Sequence, residues 1–475
     1  MSARPCASLF ICSSSITVGR YAVRKSCSSR GPQGENTIRY WREAVAGALA
    51  VALVVVAFIV PYLGNELVTP IINRTPQQVR DFADAAPLFG FREIHFGWGT
   101  PFAVLIAVAT VLWGPTVARR LSWTRLLFVV WGASAAWTMS LAMVDGWKRG
   151  FVDRLASTDE YLHEVPGITD IPATLRGFSE RILDYQADSW TTHVSGHPPG
   201  ALLTFVWLDR LGLGGGAWAA TLCVSVGTSA AVAVVLTLRV LGDEKMARRA
   251  APFVAIAPAA IWIAVSADAF YAGVAAWGVA LLSVSTKRYL WPASIGAGVL
   301  LGFGIYLNYG LVLMGLPAVA VLIAGRKILP LVGALVGALI VAGIFTAYGF
   351  WWYDGYELVQ ERYYQGIAKD RPFEYWGWAN FAALFCALGV AVPAAFPRIL
   401  TRVQPINLLV IGGVAAVVMA DLSQLSKAET ERIWLPFAMW MLIAPAVLPM
   451  RSHRFWLALQ VIGALAVNHL LFTNW

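Results

Sequence analysis

Residues 191–216 run TTHVSGHPPGALLTFVWLDRLGLGGG, and the apolar part of this stretch decides the topology of everything after it. Pro199 opens a helix, since proline is tolerated in the first helical turn, and Gly212-Leu213-Gly214-Gly215-Gly216 closes it. About a dozen residues at about 1.5 Å each give roughly 18 Å, too short for a hydrocarbon core about 30 Å thick. Counting 199–212 as a span would also invert every later connection and put the basic ones outside. The segment is therefore predicted as a re-entrant or juxtamembrane helix on the outer side. Two histidines and a Pro-Pro pair have no task in anchoring a helix bundle, so the loop ending here is the first candidate for chemistry.

The rest of the chain agrees with a membrane setting. Its 475 residues are 58% hydrophobic and only 13% charged, whereas soluble proteins carry about 25% charged residues. An all-α, polytopic membrane protein of about 13 transmembrane helices is predicted. The spans expected are 44–63, 98–117, 124–144, 216–239, 250–267, 270–286, 291–306, 308–325, 328–349, 377–396, 405–420, 434–450 and 455–472. With the N-terminus inside, the inner connections hold Arg119, Arg120 and Arg125; Arg239, Lys245, Arg248 and Arg249; Lys287 and Arg288; Arg326 and Lys327; Arg398 and Arg402; Arg451 and Arg454. Every one is basic, as the positive-inside rule requires. The net charge of +9 is thereby explained by lipid topology, and no nucleic-acid partner is expected. Five cysteines, three of them in the first 42 residues, show no metal or disulfide spacing.

Residues 1–42, rich in Ser, Arg and Cys, are expected to be a basic, disordered cytosolic tail, ahead of a transmembrane domain over 43–475. Polar residues then concentrate on one face, in loops 64–97, 145–198, 350–376 and 421–433. Asp145 ends a helix at the membrane surface, where partial desolvation suits a carboxylate to general-base work; an Asp-Gly turn in solvent explains it equally. Asp159 and Glu160 stand beside Tyr161 and can hold a hydroxyl nucleophile or a divalent cation, or simply start a helix. His193 and His197 are four apart, but Pro198 and Pro199 interrupt a helix across them, which disfavours a zinc pair. One imidazole contacting a phosphate is preferred, aided by the N–H groups that open helix 199–212. Asp268 and Asn308 interrupt apolar stretches, as functional groups or as turn residues. Arg371, Lys427 and Arg432 offer positive charge to an anionic head group, unless Lys427 and Arg432 pair with Glu429 and Glu431 in a solvated turn. No P-loop, dinucleotide motif or Ser-His-Asp order appears.

This pattern resembles the GT-C glycosyltransferases, polytopic enzymes that use polyprenyl-phosphate sugars. The branch it most resembles holds the protein mannosyltransferases and lipid A aminoarabinose transferases, together with actinobacterial integral membrane proteins. Asp145 or Asp159-Glu160 matches the acidic element of that family's first outer loop, and His197-Pro198-Pro199 matches the element before its juxtamembrane helix. Asp268 matches the acidic residue after the next spans, and the segment from Lys427 to Pro436 looks similar too. The resemblance covers about 124–475, as a GT-C-like core preceded by two extra helices.

The resemblance implies a multi-pass protein of the bacterial plasma membrane, active on its extracytoplasmic face. It implies inverting transfer of a sugar from a polyprenyl-phosphate donor to a cell-envelope glycan, lipid or protein acceptor. Asp145, Asp159 or Glu160 would serve as base, and His193, His197, Arg371, Lys427 and Arg432 would face the donor phosphate, with Tyr161, Asp268 and Asn308 nearby. No cofactor is expected, with a divalent cation left open. The competing expectation is a transporter or flippase for a lipid-linked substrate. It requires a polar path through the bilayer, yet the predicted spans carry few ionisable residues at mid-depth. A purely structural assembly partner accounts for neither the His-Pro-Pro loop nor the charged face.

Overall fold

A computed structural model describes residues 32–63, 85–401 and 403–473. The expected tail up to residue 31 and most of loop 64–97 lie outside the described residues. The chain divides into two units, Met1–Trp41 and Arg42–Trp475. The main helices are α1 (Pro32–Ile59), α2 (Gly99–Arg120), α3 (Trp123–Ala142), α4 (Pro199–Arg210), α5 (Gly216–Val240), α6 (Glu244–Ala255), α7 (Ala267–Ser285) and α8 (Leu290–Leu307). They continue as α9 (Gly315–Gly325), α10 (Pro330–Ala347), α11 (Trp352–Gln365), α12 (Phe373–Leu388), α13 (Ala391–Ile399), α14 (Pro405–Leu422), α15 (Leu435–Met441) and α16 (His453–Leu470). The sheet among the described residues is a two-stranded antiparallel pair, β1 (Gly90–Arg92) with β2 (Leu471–Thr473), in which Phe91 faces Phe472. The protein is thus all-α and multi-pass by the length and apolarity of its helices.

Among the described residues, eight helices are long and apolar enough to cross a membrane, or up to ten if each of two bent pairs is one span. The expected count of about 13 treated every apolar run as a straight helix. Breaks explain the difference. Segment 250–267 is interrupted after Ala255, before Pro258, and resumes as one turn at Ala260–Ile263. Span 377–396 bends by 105° between α12 and α13, where Gly389 takes φ +74°, a region that favours glycine. The two spans expected at 434–450 and 455–472 form one pair bent by 111°, with Pro449 in the break. Segment 308–325 splits into the turn Tyr309–Met314 and the short α9. The helical backbone also begins at Pro32, ten residues inside the expected tail.

Helix α7 is the hub. Of its apolar window 83% is buried, against 22% for α2, most of whose side chains are not buried in protein. Close approach of α5 and α7 depends on glycine: a Cβ at Gly273 would lie 2.3 Å from the Val226 carbonyl oxygen, and one at Gly227 2.8 Å from the Ala269 Cβ. Small residues at helix contacts let backbones approach where lipid gives no hydrophobic drive between helices. This contact fixes the first turns of α7, which carry Asp268 and Tyr271. As expected, Pro199 opens a short helix, α4, whose first eight residues are all buried in protein.

Candidate functional site

Loop 145–198 folds into short turns and supplies two separate polar clusters. The first centres on Glu160, at the entry to the turn Tyr161–Glu164. The far end of the loop is clipped back onto this entry: the His193 backbone N–H donates to the Asp159 carbonyl at 3.0 Å. His193 Nδ1 lies 3.0 Å from the same oxygen and 3.4 Å from Glu160 Oε1. His197 Nδ1 donates to the His193 carbonyl at 2.8 Å. Each imidazole thus has its proton on Nδ1 and presents Nε2 as an acceptor. Burial pushes the His193 pKa down to about 3, with Arg432 acting the same way, and lowers His197 too. These two rings enter the cluster neutral.

Glu160 is 1% exposed, and its Oε2 has no hydrogen-bond partner among the described residues. Burial lifts its pKa to about 8; Arg432 opposes the rise and Asp268 adds to it. Tyr161 is clasped by aromatic rings, 5.3 Å from Phe205 and 5.8 Å from His197 between centroids. Its hydroxyl accepts from Tyr271 at 2.9 Å. Asp159, one residue away, is exposed and accepts weakly from the Thr192 hydroxyl at 3.4 Å.

The cationic side comes from loop 421–433. Arg432 Nη1 donates to Asp268 Oδ2 at 2.7 Å and Nη2 to Glu429 Oε2 at 3.0 Å. Burial works against the Arg432 charge, but Asp268, Glu429 and Glu160 outweigh it and raise its pKa. Arg371 Nη2 lies 3.6 Å from Glu429 Oε1, and Lys427 Nζ donates to the Arg371 carbonyl at 3.1 Å. The solvated turn considered for Lys427 and Arg432 is instead buried, and Glu431 accepts the Phe89 N–H rather than a cation. Asn380 holds this loop, donating to Asp421 and the Ser426 carbonyl and accepting from the Ala428 N–H. So clamped, Gln424, Ala428 and Glu429 keep φ of 56°, 72° and 59°, a left-handed conformation costly for side-chain-bearing residues.

The second cluster surrounds Asp145. Its Oδ2 accepts from Arg149 and from Arg154, the latter at 2.9 Å, and Oδ1 lies 3.0 Å from His95 Nε2. Burial disfavours its charge, but the His95 hydrogen bond and the two arginines prevail and hold the carboxyl below its usual range. The cavity it lines also contains His95, Arg154, Val265, Asn468 and Thr473. Asp145 therefore does not share the surroundings of Glu160 and His197. Asn308 caps the turn 309–314, accepting the Gly310 N–H at 2.8 Å.

Segment 350–376, expected as a loop, contains α11. Its last turn joins the two sides of the Glu160 cluster: Arg362 Nε donates to Ser195 Oγ at 3.2 Å, while the Tyr363 hydroxyl accepts from the Lys427 N–H at 2.7 Å. Sequence reasoning also missed Tyr271 and His95, and it placed Glu429 only in a solvated turn. Tyr271 was signalled by its place three residues after Asp268, hence on the same helix face. His95 gave no local signal. Among the described residues no three His, Cys, Asp or Glu side chains group as metal ligands.

The fold and site define a multi-pass helical protein with a buried acid–imidazole–guanidinium cluster beside its longest described loop. No protein-family model and no curated protein sequence matches the chain. Among solved structures it is similar to the crystal structure of an oligosaccharyltransferase from Archaeoglobus fulgidus in complex with zinc and sulfate, with 13% identity and a TM-score of 0.41. The match covers 73% of this chain and 53% of that one, so the chain spans about half of that protein's length.

Proposed function

We propose that this protein is a membrane glycosyltransferase that moves a sugar from a polyprenyl-phosphate donor to a hydroxyl of a cell-envelope acceptor, at the extracytoplasmic face of a bacterial plasma membrane. The observation that carries the proposal is Glu160. It is a buried carboxyl with one unpartnered oxygen and a pKa near 8, beside the neutral His193 imidazole and within the field of the buried Arg432 guanidinium. General bases work best with a pKa near the operating pH. Asp145, saturated by three cationic partners, is a poorer base, and Asp159 is exposed.

In the proposed step Glu160 takes the proton of the acceptor hydroxyl as its oxygen attacks the anomeric carbon. The bond from that carbon to the donor phosphate oxygen breaks, the phosphate leaves with the electron pair, and configuration inverts. Arg432, Arg371 and Lys427 supply positive charge for the leaving phosphate. His193 and His197, as acceptors, orient hydroxyl groups instead of contributing charge. Asp268 fixes Arg432, and Tyr161 fixes the loop beside Glu160. The step uses protein side chains alone.

The test is the full chain in lipid nanodiscs, supplied with polyprenyl-phosphate sugars and candidate acceptors. Glu160→Gln is expected to lower turnover by about 10²–10⁴-fold. Transfer at the wild-type rate in that variant would remove Glu160 from the role. Movement of unmodified lipid across vesicles, without transfer, would favour a flippase.

A further inference from the structure

The Asp145 cluster does something other than fix one carboxylate. His95 lies between β1 and α2, with Nδ1 3.1 Å from the Glu93 carbonyl oxygen and Nε2 3.0 Å from Asp145 Oδ1. Both neighbours are acceptors only, so both ring nitrogens are satisfied together only when both carry protons, as in imidazolium. On the other side of Asp145, Arg149 Nη2 donates to the Thr473 carbonyl at 2.9 Å, and the Arg149 guanidinium stacks 3.1 Å above the Phe472 ring. The His95 ring meets Phe472 edge-on at 5.0 Å, and the His95 N–H donates to the His469 carbonyl at 3.0 Å. Strand β2 is thereby tied to segment 145–154 through Asp145, and β1 follows by pairing with β2.

We propose that His95 and Asp145 form a pH-operated clasp that fastens the paired strands 90–92 and 471–473 over the cavity beside Asp145. This goes beyond the glycosyltransferase proposal and does not depend on it. The other charged groups around His95 are Arg149, which opposes its protonation, Arg154 on the same segment, and Glu93 on its own segment. From α16 the His469 ring stacks at 6.4 Å. The Asp145 hydrogen bond outweighs burial and Arg149, so His95 keeps its proton above its ordinary 6.5, while Asp145 keeps its charge below 3.8. A histidine with a raised folded pKa stabilises fully below its unfolded pKa and loses that contribution as pH rises through the folded one. The clasp therefore holds in mildly acidic solution and loosens toward alkaline pH.

Hydrogen exchange of the full chain in nanodiscs tests this, read on peptides covering 85–98 and 466–473 and corrected for the intrinsic pH dependence of exchange. Protection relative to α7 is expected to fall several-fold between about pH 6 and 9, as His95 loses its proton. His95→Lys keeps a positive charge and should abolish this pH dependence; His95→Asn should leave the segment weakly protected throughout. Flat wild-type protection, or a His95→Lys variant that follows the wild type, would overturn the clasp.

Discussion

Asp145 and Glu160 sit in the same loop, and each has a histidine and arginine charge within reach, yet the two carboxyls behave in opposite ways. Asp145 accepts from His95, Arg149 and Arg154. Glu160 meets one imidazole at 3.4 Å and feels Arg432, a guanidinium already engaged by Asp268 and Glu429. The first is held ionised; the second is held near neutrality by burial that its neighbours do not offset. The difference lies in how many donors reach the carboxylate, not in the residue type. A saturated carboxylate joins segments, and an undersupplied one is available for proton transfer.

The largest test of this contrast is Arg432→Met, which leaves Asp268 and Glu429 buried without their shared cation. Removing one partner of a buried pair costs about 3–5 kcal/mol, so thermal unfolding in nanodiscs should show a large loss, with Arg432→Lys intermediate. Stability that matched wild type would mean the pair is solvated.

Next comes the pH dependence set by Glu160. Its folded pKa, near 8, exceeds its ordinary 4.5, so the folded state holds the extra proton between those values. That contribution is present at low pH and is lost as pH rises through the folded pKa. Stability should decline between about pH 4.5 and 8, and Glu160→Gln should flatten the decline in an unfolding series against pH.

Asp145→Asn should have a smaller effect, about 1–3 kcal/mol, as charge-assisted hydrogen bonds are weakened while the shape is kept. The loss should be local and fall on segments 85–98 and 471–473. A uniform loss across the bundle would erase the distinction between the clusters. Smallest is Gln424→Gly: this exposed residue has φ 56°, and glycine there should stabilise by about 0.5 kcal/mol. No gain in the unfolding midpoint would show that the 423–430 loop is not strained.

Much of the fold was legible because lipid imposes it. Runs long enough to cross hydrocarbon, and basic residues between them, are read directly from composition, and Leu290–Leu307 appears within a residue of its expected 291–306. The breaks were not legible, because whether Pro258, Gly389 or Pro449 bends a run depends on what packs against it. The cluster was half legible. Glu160, His193, His197, Asp268 and Arg432 stand out as polar residues at helix ends, but the choice between Glu160 and Asp145 did not.

The sequence alone determined an all-α, multi-pass chain, a short helix opened by Pro199, and a polar loop with carboxylates at one end and histidines at the other. These follow from local rules of hydrophobic length, proline chemistry and charge, which hold wherever the segment lies. Only the tertiary structure decided which carboxylate is saturated. His95 is fifty residues before Asp145, and Arg432 is far beyond Asp268. A carboxyl's proton affinity depends on donors and solvent within a few ångströms, and folding, not sequence distance, brings those together.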